Sequence, residues 1–89
     1  MMSKISKISL QRLLAKSGIT PEEVDLFLEN YLSELIGENE NNGQVELFKE
    51  KVSQLKSDLS NILPEFKNKI KQFDKIINKF NREISQICN

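Results

Sequence analysis

Residues 45–87 read VELFKEKVSQLKSDLSNILPEFKNKIKQFDKIINKFNREISQI. Val45, Phe48, Val52, Leu55, Leu59 and Ile62 follow one another at alternating spacings of three and four, and Phe66, Ile70, Phe73, Ile77, Phe80, Ile84 and Ile87 resume that alternation after Pro64. This is the narrow apolar seam of a helix that packs along another helix. Ile62, Phe66 and Ile70 are separated by four and again by four, a stutter that locally unwinds a supercoil. Pro64 lies inside the stutter. Proline removes a backbone hydrogen bond and costs a helix interior about 3 kcal/mol, so the chain either kinks there or starts a new helix. Leu63 is a poor cap and no glycine is near, so the sequence predicts a kinked arm over residues 44–88, bent near 64, rather than a closed hairpin. Nearly continuous, such an arm would reach on the order of 65 Å at 1.5 Å per residue.

The thirteen apolar residues of the seam cannot all stay in water at about 1.5 to 3 kcal/mol each. Three surfaces could cover them: the same chain folded back at Pro64, a second copy, or another protein. A homodimer is the favoured form, with the thirteen seam residues as the self- or partner interface.

Upstream, Leu10, Leu13 and Leu14 give a short helix over Ser9–Ser17 that Gly18 closes. Thr20-Pro21-Glu22-Glu23 then reads as a helix start, with Thr20 as cap, Pro21 at the first helical position and Glu23 completing a capping box. Ile19 and Val24 sit where a hydrophobic staple needs them. Val24, Phe27, Leu28, Tyr31, Leu32, Leu35 and Ile36 recur at three and four residues, the stripe of an amphipathic helix. Residues 9–36 are therefore a helical hairpin, and Gly37-Glu38-Asn39-Glu40-Asn41-Asn42-Gly43 is a polar loop. The expected fold is all-α: one helical domain over residues 1–89, as a helical bundle or a coiled-coil-like assembly.

Composition excludes several kinds of chemistry. The 89 residues contain no histidine and no tryptophan, and Cys88 is the sole cysteine. Imidazole acid–base catalysis, histidine-activated nucleophiles and Cys/His zinc sites are thereby removed. Glu38, Glu40 and Glu46 flank an Asn-rich loop, but that loop lacks the alternating oxygen ligands, central glycine and terminal glutamate of a calcium-binding loop. No catalytic residue, metal or cofactor is expected, and the chain reads as non-enzymatic. The start lacks the apolar run of a signal peptide, no window approaches membrane-spanning length, and a lone thiol suits a reducing compartment, so a cytoplasmic location is expected.

Thirteen basic and thirteen acidic residues cancel, so any electrostatic instruction must be local. Lys67, Lys71, Lys75 and Lys79 recur every four residues, with Arg82 and Lys69 nearby. Like charges at that spacing repel by a few tenths of a kcal/mol (roughly 0.2–0.5) per pair, and an acidic neighbour would relieve them. Within the chain that neighbour could be the acidic second helix, with Glu22, Glu23, Asp25, Glu29 and Glu34. Outside it, the Lys67, Lys71, Lys75, Lys79 and Arg82 face could track phosphates or an acidic protein. No aromatic is free for base stacking, since the phenylalanines fall on the seam.

Residues 13–48, LLAKSGITPEEVDLFLENYLSELIGENENNGQVELF, resemble the opening of bacterial HU-type DNA-bending proteins: a short helix ending in Lys-Ser-Gly, a longer amphipathic helix, a glycine and a Val-x-Leu stretch. The family's DNA-binding part has no counterpart after Phe48, where the Gly-Phe-Gly turn and the β-arm are missing. DNA bending is therefore not carried over.

The leading expectation is a helical interaction module, an oligomerisation element, adaptor, chaperone-like cofactor or inhibitor, acting through the seam. The alternative is a nucleic-acid accessory subunit using the Lys67–Arg82 face without reading sequence. A membrane-surface helix is the third reading.

Overall fold

A computed structural model describes residues 4–40 and 43–88. It is all-α: α1 spans Lys7–Leu14, α2 Pro21–Glu38, α3 Val45–Ile62 and α4 Ile70–Cys88, with a 3-10 segment at Leu63–Asn68 between the last two. Asn41 and Asn42 of the expected loop lie outside the described residues.

Local chemistry accounts for most of the boundaries. The Ser6 hydroxyl accepts the Ser9 N–H at 3.2 Å and starts α1 two residues earlier than the apolar spacing predicts. The first helix ends at Leu14, and Gly18, with φ +74°, makes the left-handed step in the turn that follows it. At α2 the expected cap forms: the Glu23 N–H reaches the Thr20 hydroxyl oxygen at 3.3 Å, and Pro21 occupies the first turn. Glu22 and Glu23 lie in that turn, where the helix dipole favours negative charge. Gly37 does not stop α2. The helix runs to Glu38, and the Asn39 side chain donates to the Leu35 carbonyl at 2.9 Å, satisfying one of its last acceptors.

The reversal at Pro64 corrects the expectation of a kinked arm. α3 and α4 fold back antiparallel, as the Lys51–Glu83 pair shows, and the molecule is only 39 Å in its longest dimension. Pro64 sits in the 3-10 segment, where its missing N–H interrupts the α-helical ladder. Two non-glycine residues make the remaining bend, Glu65 at φ −128°, ψ 35° and Lys69 at φ −120°, ψ 26°. Both lie at negative φ, so a corner is built without glycine. Phe66, buried inside it, packs edge-to-face on Phe73 with ring centroids 5.4 Å apart and ties the corner to α4. The apparent stutter is thus the signature of a corner, not of an unwound supercoil.

The helices run up-down-up-down. α2 packs on α3 and α3 on α4. α1 lies antiparallel along α4: the Asn81 side chain accepts the Ile5 N–H at 2.9 Å and donates to the Ile5 carbonyl at 3.3 Å, and Lys7 pairs with Asp74 at 3.3 Å. α2 and α4 therefore stand at opposite corners, meeting only through core side chains such as Tyr31 and Phe80, whose rings contact edge-on at 5.9 Å. One continuous apolar core joins all four helices, and no polar side chain among the described residues is buried in it.

Candidate functional site

The seam is covered by the chain itself. Phe48, Val52, Leu55, Leu59, Ile62, Phe66, Phe73, Ile77, Phe80 and Ile84 are buried, Val45 and Ile87 are half-buried at the open ends, and Ile70 is 38% exposed. The covering side chains are Leu10 and Leu14 of α1 and Val24, Leu28, Tyr31 and Leu35 of α2. Folding back halves the length of the arm, and a helix the size of α2 then suffices as a lid. Of the three candidate covers for the seam, the fold uses the first.

The basic face is the surface left over. Lys67, Lys71, Lys75, Lys79 and Arg82 are all exposed. Gln72, Asn78 and Gln86, the other fully exposed positions on that side of α4, are neutral amides. The two carboxylates of α4 turn toward its flanks: Asp74 meets Lys7 of α1, and Glu83 meets Lys51 of α3 at 2.8 Å. The hydrogen bond from Lys51 pulls the Glu83 carboxyl below its usual range, with Lys79 and Arg82 adding at longer reach, and the same bond raises the Lys51 ammonium. Lys69 lies to one side and reaches Glu65 at 3.6 Å. Among the described residues, none of Lys67, Lys71, Lys75, Lys79 and Arg82 has a carboxylate within salt-bridge distance.

The expected internal neutralisation by α2 does not occur. Glu22, Glu23, Asp25, Glu29 and Glu34 are exposed at the opposite corner of the bundle, and Glu29 pairs with Lys56 of α3 instead. The chain is consequently bipolar at zero net charge. No lysine or arginine falls between Lys16 and Lys49, whereas residues 66–89 carry six basic residues against Asp74 and Glu83.

A groove of about 550 Å³ runs between α3 and α4 beside this face. Leu55, Ile62, Ile76 and Phe80 line its apolar floor, with Gln54, Asp58 and Asn61 on one rim and Lys75 and Lys79 on the other. The groove brings no nucleophile and base together. Among the described residues no aromatic ring is fully exposed: Tyr31, Phe48, Phe66, Phe73 and Phe80 are buried and Phe27 is half-buried.

Sequence periodicity located the cationic stripe but not its isolation. That isolation depends on Lys7 and Lys51 drawing Asp74 and Glu83 away, pairings over tens of residues that leave no local signature. No helix among the described residues is long and apolar enough to cross a membrane. The chain matches no family model, no curated protein and no solved structure.

Proposed function

We propose that the chain is a non-enzymatic helical interaction module, an adaptor or accessory subunit, whose working surface is the outer face of α4 and not the seam. The observation that carries this reading is the row of exposed cations at Lys67 in the corner and Lys71, Lys75, Lys79 and Arg82 on α4, interleaved with amides and, among the described residues, with no carboxylate within salt-bridge distance. Lys71, Lys75 and Lys79, at successive four-residue spacings on α4, repel one another in the isolated fold. An extended anionic partner relieves that repulsion without disturbing any packed side chain, whereas engagement through the seam would require the core to open. Exposed ammonium groups hold phosphate or carboxylate as point charges, so the contact is strong at low salt and weakens as salt rises.

The test is retention on immobilised heparin, read as the salt concentration needed for elution. The Lys71→Gln/Lys75→Gln protein should elute at clearly lower salt than Lys49→Gln/Lys56→Gln, which removes the same charge from α3. Equal elution of the two variants, or no retention of the parent protein, would overturn the assignment of the α4 face.

A further inference from the structure

We infer that the anion-binding surface has two cationic rows, one along α4 and one along α1 and the residues that flank it, and that its occupant is the phosphate backbone of a nucleic-acid double helix; this rests on the reading of the α4 face above. Residues 4–16 carry Lys4, Lys7, Arg12 and Lys16 and no acidic residue. α1 lies antiparallel along α4, tied to it at its N-terminal end by Ile5–Asn81 and Lys7–Asp74. Lys7 and Asp74 neutralise each other in the valley between the helices, which leaves Lys4, Arg12 and Lys16 exposed on one side and the α4 row on the other. At the Pro64 end the two rows converge, since Lys16 and Lys67 line one cleft of about 650 Å³. Packed helices lie about 8–10 Å apart, so the surface is a band and not a line.

Three features favour a duplex as the occupant. From Lys71 to Arg82 the α4 row runs about 16 Å at 1.5 Å per residue, and over that length a duplex presents roughly ten phosphates at one charge per 1.7 Å of axis. Phe27, half-buried in the cleft beside Lys4, is the one ring partly open to solvent among the described residues, so the succession of rings on which a single strand stacks is missing. Protein partners need buried apolar or aromatic anchors at the centre of their contact, and beyond Ile70 at its start the exposed side of α4 offers only charges and amides. Ile8, exposed in the first turn of α1, and Ile70, 38% exposed at the start of α4, are the apolar residues open to solvent in the band. The row is mostly lysine, which contacts phosphate without the bidentate geometry that reads bases, so binding is independent of sequence. The acidic residues of α2 lie beyond the α1 row, where Glu34 shares a cleft with Lys4, and limit the duplex to one side of the molecule.

Fluorescence anisotropy with two duplexes of unrelated sequence, measured over a salt series, tests the inference. Equal affinity for both is expected, with a slope of log K against log salt of about −3.6 to −4.5 for four or five phosphate contacts. Arg12→Gln/Lys16→Gln and Lys71→Gln/Lys75→Gln should each make that slope shallower by about 2, while Ile8→Ala should change affinity less than about twofold. Circular dichroism of each variant verifies that the fold is kept. Heparin retention without duplex binding would refute the duplex and leave the α4 reading standing. A slope that responds to the α4 pair but not to the α1 pair would refute the second row. Tighter binding to polyglutamate or single strands than to duplex, or a large effect of Ile8→Ala, would also overturn the inference.

Discussion

Ile70 and Ile77 occupy equivalent positions in the heptad spacing, yet the fold treats them differently. Ile77 is fully buried at the centre of α4, whereas Ile70, its first residue, is 38% exposed. Replacing each in turn by valine removes one methylene. At a packed site that change costs about 0.5–1.5 kcal/mol, because a transfer loss and a small cavity add. At Ile70 no closed cavity forms, and a fully buried methylene is worth only about 0.8 kcal/mol, so the expected loss is about 0.5 kcal/mol or less. In a domain of this size about 1 kcal/mol moves the melting midpoint by about 4–8 °C. At about 1 kcal/mol, the middle of its range, Ile77→Val should therefore melt about 4–8 °C below the parent, and Ile70→Val at most about 2–4 °C below it. Thermal melts followed by far-ultraviolet circular dichroism, run at low and high protein concentration, give both numbers. Because the seam closes within one chain, the midpoints should not move with concentration, and light scattering should return a mass near 10.3 kDa. Equal losses at the two positions, or midpoints that climb with concentration, would refute the intrachain seam and point to packing between copies.

Two further outcomes follow from the core and the corner. Burial, followed by the charges of Cys88 and Glu38, pushes the Tyr31 hydroxyl well above its ordinary value near 10. The folded state thus holds the phenol protonated. Its contribution to stability is complete below about pH 10 and falls as pH rises further, because the unfolded chain releases that proton first. Tyr31 is the sole tyrosine and tryptophan is missing, so phenolate absorbance reports this group alone. Phenolate should appear only together with loss of helicity, and a reversible titration near pH 10 in the folded protein would contradict the burial. Pro64→Ala should cost about 0.4–1 kcal/mol through a more flexible unfolded chain and leave the fold-back intact. X-ray scattering should retain a compact particle, near the 12.8 Å radius of gyration of the Cα trace, whereas a marked increase would show that proline itself makes the corner.

Much of the architecture was legible in local sequence, for identifiable physical reasons. Three-and-four spacing is the angular repeat of a helix, so all-α character and the buried identities of the seam residues from Phe48 to Ile84, Ile70 excepted, follow from covalent geometry alone. Thr20-Pro21-Glu22-Glu23 specifies a helix start because its capping groups lie within one turn of each other. The cationic spacing of Lys71, Lys75 and Lys79 places them on one side of α4 for the same geometric reason.

Tertiary structure decided what those stripes face. The direction of the chain at Pro64 depended on whether α2 could cover two half-length helices better than water covers one long arm. That choice is a sum of contacts over residues far apart in sequence, with Phe66 on Phe73 and Tyr31 on Phe80 among them. The isolation of the basic face was likewise set by distance: up-down-up-down packing puts α2 diagonal to α4, and Lys7 and Lys51 engage Asp74 and Glu83 from neighbouring helices. A linear sequence displays which charges share a helical side, because that repeat is local. Which charges find partners across helices emerges only once the apolar core has fixed the order of the helices around it.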